Sequence, residues 1–519
     1  MKIHPSRQIP LRMTTTRIPL GLVLGLAAAS CGTELDVGDK PQNLEPSSGE
    51  DSGTVDPGTD DGPGMTSAMG DSSTGELPPS FSPPCELAGA GAAQDSSVQW
   101  GLICGGSASE YIRATAMDDS GAVYVLTQVE NYQGQTILFG DDEITPGPSQ
   151  PTLVLTKLAA DGTFEWNRGF QGEVGWWAPG SLVACDDRVY FTANRASSGT
   201  ESIDFGTGLV NGNLALVAVD GDGTTLWAQA TGQNDEESGG FPTGSVVCRP
   251  GGGIAVFGVT ATDMEIGGIA FDGSPATAAG TYVVVADADG NGVWGELQDT
   301  GTWAAALDDE GSLVTFGYRV TETPNVSTLA LTRYDATGTE QWAQLFPTTG
   351  PTLATGVMVD ADGTITITGG FAGETDLGQG PLLGLDPLVV DDPEDPFDRP
   401  NPIQNMDSFV ARYAADGTSE WVTALGELGW DSVGAARLDA DGNADVFFMD
   451  AAGAATLRSI DGTGAGTITA LPGPYPLAVS GNPLSGIAVA YGGLDGLSAF
   501  APPLTARMPY DFVVTRIVP

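Results

Sequence analysis

Oxygen ligands are the chain's most abundant chemical resource, and their spacing first suggests calcium. The stretch DADGNG places Asp287, Asp289 and Asn291 ahead of Gly292, which fits the opening of a D-x-[DN]-x-[DN]-G loop. Position 12 of that loop is Gln298, where a bidentate Glu belongs. Asp, Asn and Gly are equally the residues of tight turns, so the turn reading is preferred and Ca2+ is the one cofactor left open. DADGNADVF, with Asp439, Asp441, Asn443 and Asp445, is read the same way. Paired carboxylates at about 5 to 9.5 Å can hydrolyse glycosides. With 67 acidic residues, however, proximity alone carries no information, and no catalytic residue is assigned.

Other chemistries are excluded by what is missing. His4 is the only histidine, and it lies in an N-terminal segment expected to be removed. That takes away Ser-His-Asp and Cys-His catalysis, His-bearing zinc sites and haem ligation by His. Lys40 and Lys157 are the only lysines beyond that segment, and Lys157 lies in a repeat strand, where a solvated face explains it. The formal charge of −48 repels phosphate, so nucleic acid is excluded as a partner.

Aromatic residues recur just before one class of hairpin, at Tyr111, Trp176, Trp177, Phe241, Trp303 and Trp430. Repetition puts them on one face, as a platform for sugars or extended peptides or as wedges between repeats; the wedge is the preferred reading.

The N-terminus gives an address. Residues 1–30 carry Lys2, Arg7, Arg12 and Arg17, no acidic residue, and then the apolar run IPLGLVLGLAAAS before Cys31. This reads as an export signal. It resembles a bacterial lipoprotein signal, which implies lipidation of Cys31 and a membrane partner through that lipid; Ala28 departs from the Leu that the family prefers. Gly32 in place of Asp implies the outer membrane. Met13 is a second candidate start. Removal of residues 1–30 leaves 15 of the 19 basic residues and all 67 acidic ones, a charge of −52. Residues 31–84 are Gly, Ser, Thr, Pro, Asp and Glu with almost no aromatics, and are expected to form a disordered acidic tether with a reach of roughly 40 Å.

Residues 85–519 must then supply the fold. Hydrophobic residues make up 41% of the chain, enough for a core, while 74 Gly and 35 Pro favour turns and short strands over helices. Five segments end in a turn and a Trp: LVLTKLAADGTFEW, LALVAVDGDGTTLW, TYVVVADADGNGVW, LALTRYDATGTEQW and SFVARYAADGTSEW. Each is a hairpin. A sixth copy, TLRSIDGTGAGTI, has Ile468 in the Trp position. Seven hairpins of a second type alternate with them. Two hairpins make a four-stranded unit, so the spacing predicts an all-β, seven-bladed β-propeller. The C-terminal DFVVTRIVP and the N-terminal SVQWGLICGG, with Trp100, are half-hairpins, expected to pair and close one blade.

These repeats, with the "dFG"-like ILFG, IDFG and TDLG, resemble the SBBP repeat of bacterial surface lipoproteins over roughly residues 96–519. The resemblance implies a seven-bladed propeller in the cell envelope and transfers no catalytic residue. DATGTEQW more weakly resembles the tryptophan-docking repeat of PQQ-type propellers, which have eight blades.

With Cys31 lipidated, Cys85, Cys104, Cys185 and Cys248 remain, an even number that reads as two disulfides in an exported protein. Three pairings are open. Cys185 and Cys248 share a repeat position in SLVAC and SVVC, so they are paired across neighbouring blades, leaving Cys85 for Cys104. The connections between the two hairpins of a unit vary from about seven residues (TETPNVS) to over thirty, and their rim is the expected binding face. The resulting expectation is a non-enzymatic, envelope-anchored lipoprotein that binds or scaffolds protein or polysaccharide. The alternatives are a carboxylate-based glycan hydrolase or lyase, and a PQQ-like outer-membrane assembly scaffold.

Overall fold

The structure is a computed structural model. It describes residues 86–89, 98–104, 109–130, 137–139, 142–144, 152–172, 177–195, 202–231, 244–249, 251–260, 263–271, 280–298, 300–320, 327–384, 406–426, 432–439, 441–449, 455–470, 476–482, 486–492 and 512–517. The signal segment with Cys31, the tether and Cys85 lie outside these residues.

Alternating apolar residues and Asp–Gly turns give only strands among the described residues. The chain enters through β1 (Glu86–Gly89) and β2 (Val98–Cys104). Blade 1 holds β3 (Ser109–Met117) and β4 (Val123–Glu130), then a small hairpin of β5 (Ile137–Phe139) and β6 (Asp142–Ile144), then β7 (Thr152–Leu158) and β8 (Phe164–Gly172). Blade 2 repeats the plan with β9 (Trp177–Cys185), β10 (Arg188–Arg195), small strands β11 (Ser202–Asp204) and β12 (Leu209–Asn211), β13 (Leu214–Asp220) and β14 (Thr225–Thr231). Blade 3 has β15 (Ser245–Cys248), β16 (Ile254–Thr260), small strands β17 (Met264–Ile266) and β18 (Ile269–Phe271), β19 (Gly280–Ala286) and β20 (Gly292–Gln298). Blade 4 is β21 (Thr300–Leu307), β22 (Leu313–Val320), β23 (Ser327–Tyr334) and β24 (Glu340–Phe346). Blade 5 is β25 (Thr352–Val359), β26 (Ile365–Phe371), small strands β27 (Glu374–Asp376) and β28 (Pro381–Leu383), β29 (Asp407–Tyr413) and β30 (Ser419–Ala424). Blade 6 is β31 (Ser432–Leu438), β32 (Ala444–Met449), β33 (Ala455–Ile460) and β34 (Gly466–Ala470). Last come β35 (Pro476–Asn482), β36 (Gly486–Gly492) and β37 (Phe512–Ile517).

Each blade is an antiparallel meander from an inner to an outer strand. The central pair is covered on both sides, so it reads as a continuous apolar run: every residue of β26 is buried, whereas the outer β24 and β30 are largely half-exposed. Cores form where blades face each other. Phe170 of blade 1 packs on Phe191 and Phe205 of the next unit, with ring centroids 5.7 and 5.3 Å apart.

The seven-bladed, closed propeller of SBBP type expected from the repeats is not what the chain forms. Six blades are each folded from one continuous stretch, β3 to β34, and none of their sheets closes on itself. The remaining strands make an antiparallel five-stranded sheet, β1-β2-β37-β36-β35, in place of a seventh four-stranded blade. In it β2 lies antiparallel to β37, with Trp100 opposite Arg516. Blade 1 is also larger than expected: its sheet has six strands, because β11 of the following unit pairs onto β8 and β12 onto β11. Nor is there an eighth blade among the described residues, as the PQQ-type reading requires. Periodicity counts hairpins; which strands share a sheet is decided by long-range pairing that no local spacing encodes.

Candidate functional site

The antiparallel order sets two ends of the blades against each other. At one end lie the turns within each hairpin, and at the other the connections between hairpins and between blades. The turn end is built from one recurring device. In Asp287–Asn291 the amide of Asp287 donates to the carbonyl of Asn291 (2.9 Å), and that of Gly290 to the carbonyl of Asp287 (3.0 Å). Gly290 takes φ +80°, which completes a type I turn with a glycine bulge. The Asp287 carboxylate accepts from the amides of Asp289 (3.0 Å) and Asn291 (2.9 Å) and from the Asn291 side chain. These bonds, led by the one from the Asn291 side chain, hold its pKa below the usual carboxylate range.

The same arrangement recurs at Asp118, Asp220, Asp308, Asp335, Asp360, Asp439 and Asp461, whatever acids follow. Turn geometry therefore accounts for the bonds of Asp287 and Asn291, while the Asp289 carboxylate lies 3.6 Å from the Arg188 guanidinium of blade 2. Among the described residues no cluster of three His, Cys, Asp or Glu side chains is placed to hold a metal.

This end also docks the blades to one another. The indole N–H of Trp100 donates to the carbonyl of Ala160 in blade 1 (2.9 Å), Trp166 to Gly221 (2.9 Å), Trp227 to Ala288 (3.1 Å) and Trp342 to Ala415 (3.2 Å), each in the next Trp-hairpin turn. The left-handed glycine of that turn lies against the indole. A methyl group on Gly223 would come within 3.0 Å of Trp166, on Gly290 within 3.0 Å of Trp227 and on Gly338 within 2.7 Å of Trp294. Gly417 and Gly464 meet Trp342 and Trp421 in the same way, at 3.3 and 3.4 Å. The side chain two residues after the Trp adds a bond to the glycine carbonyl: Arg168 to Gly223 (2.8 Å), Gln229 to Gly290 (3.0 Å), Gln344 to Gly417, and Thr423 to Gly464 (3.2 Å). Sequence reasoning missed this last position, although the polar residues of EWNR, LWAQ, QWAQ and EWVT signal it.

Basic residues make a further set of links. Arg333 pairs with Asp308 (2.6 Å) and reaches Gly363 of blade 5, while Arg412 pairs with Asp360 (3.1 Å) and reaches Gly442 of blade 6 (2.7 Å). Among the described residues, Asp360 is the carboxyl of the turn end that resembles a catalytic acid: burial first, then the neighbouring Asp362, push its pKa up to about 6, while Asp362 is held low by its bonds to Asp360 and Thr364. Its oxygens are nevertheless taken up by Thr364 and Arg412 inside a turn, so the pair serves the fold.

At the opposite end, three of the small hairpins, β11–β12, β17–β18 and β27–β28, are straps onto the preceding blade. Ile203 and Asp204 pair with Gly172 and Gln171 of β8; the amide of Glu265 donates to Thr231 (2.9 Å); Thr349 and Glu374 exchange bonds of 2.8 and 2.9 Å. Their "dFG" residues are spent in the core, with Phe205 and Leu377 fully buried. Of the expected aromatic row, Trp303 is half-buried and packs edge-on to Tyr318 at 6.0 Å, in the core between blades 4 and 5. Tyr111 is half-buried with the Arg113 guanidinium 5.4 Å from its ring, and Trp177 lies in β9, paired with Arg195. Trp176, Phe241 and Trp430 lie outside the described residues. Cys185 and Cys248 form a disulfide between β9 and β15, Cα atoms 6.2 Å apart, and so bolt blade 2 to blade 3. Cys104 lies in β2.

No family model matches the chain, so the likeness to SBBP repeats gains no support there either, and no curated protein matches. Among solved structures it is similar to the β-propeller domain of the Trilobed protease from Pyrococcus furiosus, described as having an open velcro topology. That match has 9% identity and a TM-score of 0.38 over 74% of this chain and 89% of that one. A protein of unknown function from Dyadobacter fermentans matches at 11% identity and TM-score 0.34, over 79% and 95% of the two chains. The class the strands define is an all-β propeller of four-stranded blades.

Proposed function

We propose that this protein is a non-enzymatic binding or scaffolding module of the cell envelope, held to the membrane by a lipid on Cys31 and engaging its partner through the rim of inter-hairpin connections. One observation carries the reading: the two ends of the blades are unlike. The described turns at one end are short, and their Asp carboxylates are consumed by their own turn amides. Connections of very unequal length leave the other end, over a scaffold that is the same in each unit. Anchoring rests on the sequence alone, on the basic apolar leader and Cys31. The partner is an envelope protein or polysaccharide carrying little negative charge, because the rim connection DDPEDPFDRP adds to a field already strongly acidic.

Two measurements test it. Labelled palmitate should enter the full-length chain expressed in a Gram-negative host and be lost in Cys31→Ser; an unlabelled wild-type chain refutes the anchor. Envelope extract passed over the immobilised full chain should leave bound material that shortening of residues 385–405 reduces at least several-fold. Protease-sensitive material identifies a protein partner and periodate-sensitive material a glycan. Undiminished retention after shortening refutes the rim.

A further inference from the structure

Each Trp that docks onto the next blade sits beside a β-bulge. The register slips at Lys157/Leu158, Ala218/Val219, Val285/Ala286, Arg333/Tyr334 and Arg412/Tyr413, which sets Trp166, Trp227, Trp294, Trp342 and Trp421 opposite the first residue of each pair. The slip between Val98 and Trp100 does the same in the terminal sheet. A bulge rotates the strand and re-aims its side chains, here toward the neighbouring turn. Blade 6 lacks both parts. Its β33–β34 pair runs without a slip, Arg458 stands opposite Ile468, and Ile468 is 65% exposed. Arg458 turns back instead, donating to Leu425 of blade 5 (3.3 Å), its guanidinium 3.6 Å from the Phe448 ring.

In the terminal sheet the two strands equivalent to a Trp hairpin are β37 and β2, which lie far apart in the chain, so the described residues hold no turn that joins them. The inner strands still touch, β31 on β35 and β35 on β3. Trp100 also ties the terminal sheet to blade 1.

We propose that the contacts between successive sheets give way at one defined place, between blade 6 and the terminal sheet, with the terminal sheet remaining on blade 1. Among the described residues six seams carry a docked Trp, and this one carries instead the exposed Ile468. The protein thereby has a built-in hinge line, opening radially from the outer strands toward the inner contact of β31 with β35.

Distance measurements between spin labels test it, using genetically encoded labels that leave the native cysteines untouched. One pair spans the undocked seam, at Thr467 and Gln99. A second spans a docked seam, at the exposed Gln341 and Asp416. A third, at Gln99 and Asp161, spans the Trp100 link. In urea below the global unfolding transition, the first pair should lengthen and broaden while the other two hold. Simultaneous movement of all three, or earlier movement of the second or third, overturns the proposal.

Discussion

At the scale of single residues, the carboxylates divide by what surrounds them. Turn aspartates such as Asp287 and Asp461 are exposed and spend their oxygens on local amides; Asp360 is partly buried, and its pKa rises to about 6 despite the Arg412 contact, because burial and Asp362 outweigh that cation. The sign follows from linkage. A carboxyl whose folded pKa lies above its unfolded value binds more protons in the folded state, so its contribution to stability is complete below about pH 4 and is lost as pH rises through about 6. Asp362→Asn removes the neighbouring charge and should flatten this part of the pH profile. Urea melts at half-unit steps between pH 4 and 7 measure it; an unchanged slope would mean that Asp362 does not act on Asp360. The DADGNG motif was legible as a turn for the same local reason, since i+2 and i+4 amides lie within reach of the leading Asp wherever the chain reverses.

At the scale of elements, the unit of construction is the Trp hairpin of one blade with the turn of the next. Gly290 combines φ +80° with contact against Trp227, so Gly290→Ala meets both backbone strain and a clash. It should cost about 2 kcal/mol, whereas Gly251→Ala, at a similar φ but with open space around it, should pay only the strain. Equal losses in chemical melts of the two variants would refute the stacking role. The disulfide is the covalent version of the same task. It closes a loop of 63 residues between blades 2 and 3, and the double variant Cys185→Ser/Cys248→Ser should lose about 2–4 kcal/mol. A loss well below 1 kcal/mol would show that the non-covalent links at this seam, such as the Val246 amide donating to the Ser181 hydroxyl (2.7 Å), suffice. The pairing was readable because both cysteines fill one repeat position. The straps were not: ILFG, IDFG and TDLG look like loop punctuation until β11 is found beside β8.

At the scale of the whole molecule, charge is the dominant global variable. A chain with formal charge −48 repels itself when compact, and screening relieves that repulsion within a Debye length of about 10 Å at 0.1 M salt. Raising NaCl from 0.02 to 0.5 M should therefore raise the melting temperature by a few degrees. A fall on adding salt would mean that pairs such as Arg333–Asp308 outweigh the general repulsion.

What the sequence determined by itself was local: strand-turn periodicity, the Asp turns, the Trp positions, the anomalous Ile468, and the absence of histidine chemistry beyond His4. All of these follow from residues within a few positions of one another, where backbone geometry and side-chain reach decide the outcome. Only the tertiary structure decided how hairpins were distributed: six continuous blades, a five-stranded terminal sheet, and straps borrowed by the preceding blade. Those choices depend on contacts between segments far apart in the chain, and their energies lie in burial between sheets, which no short window of sequence contains.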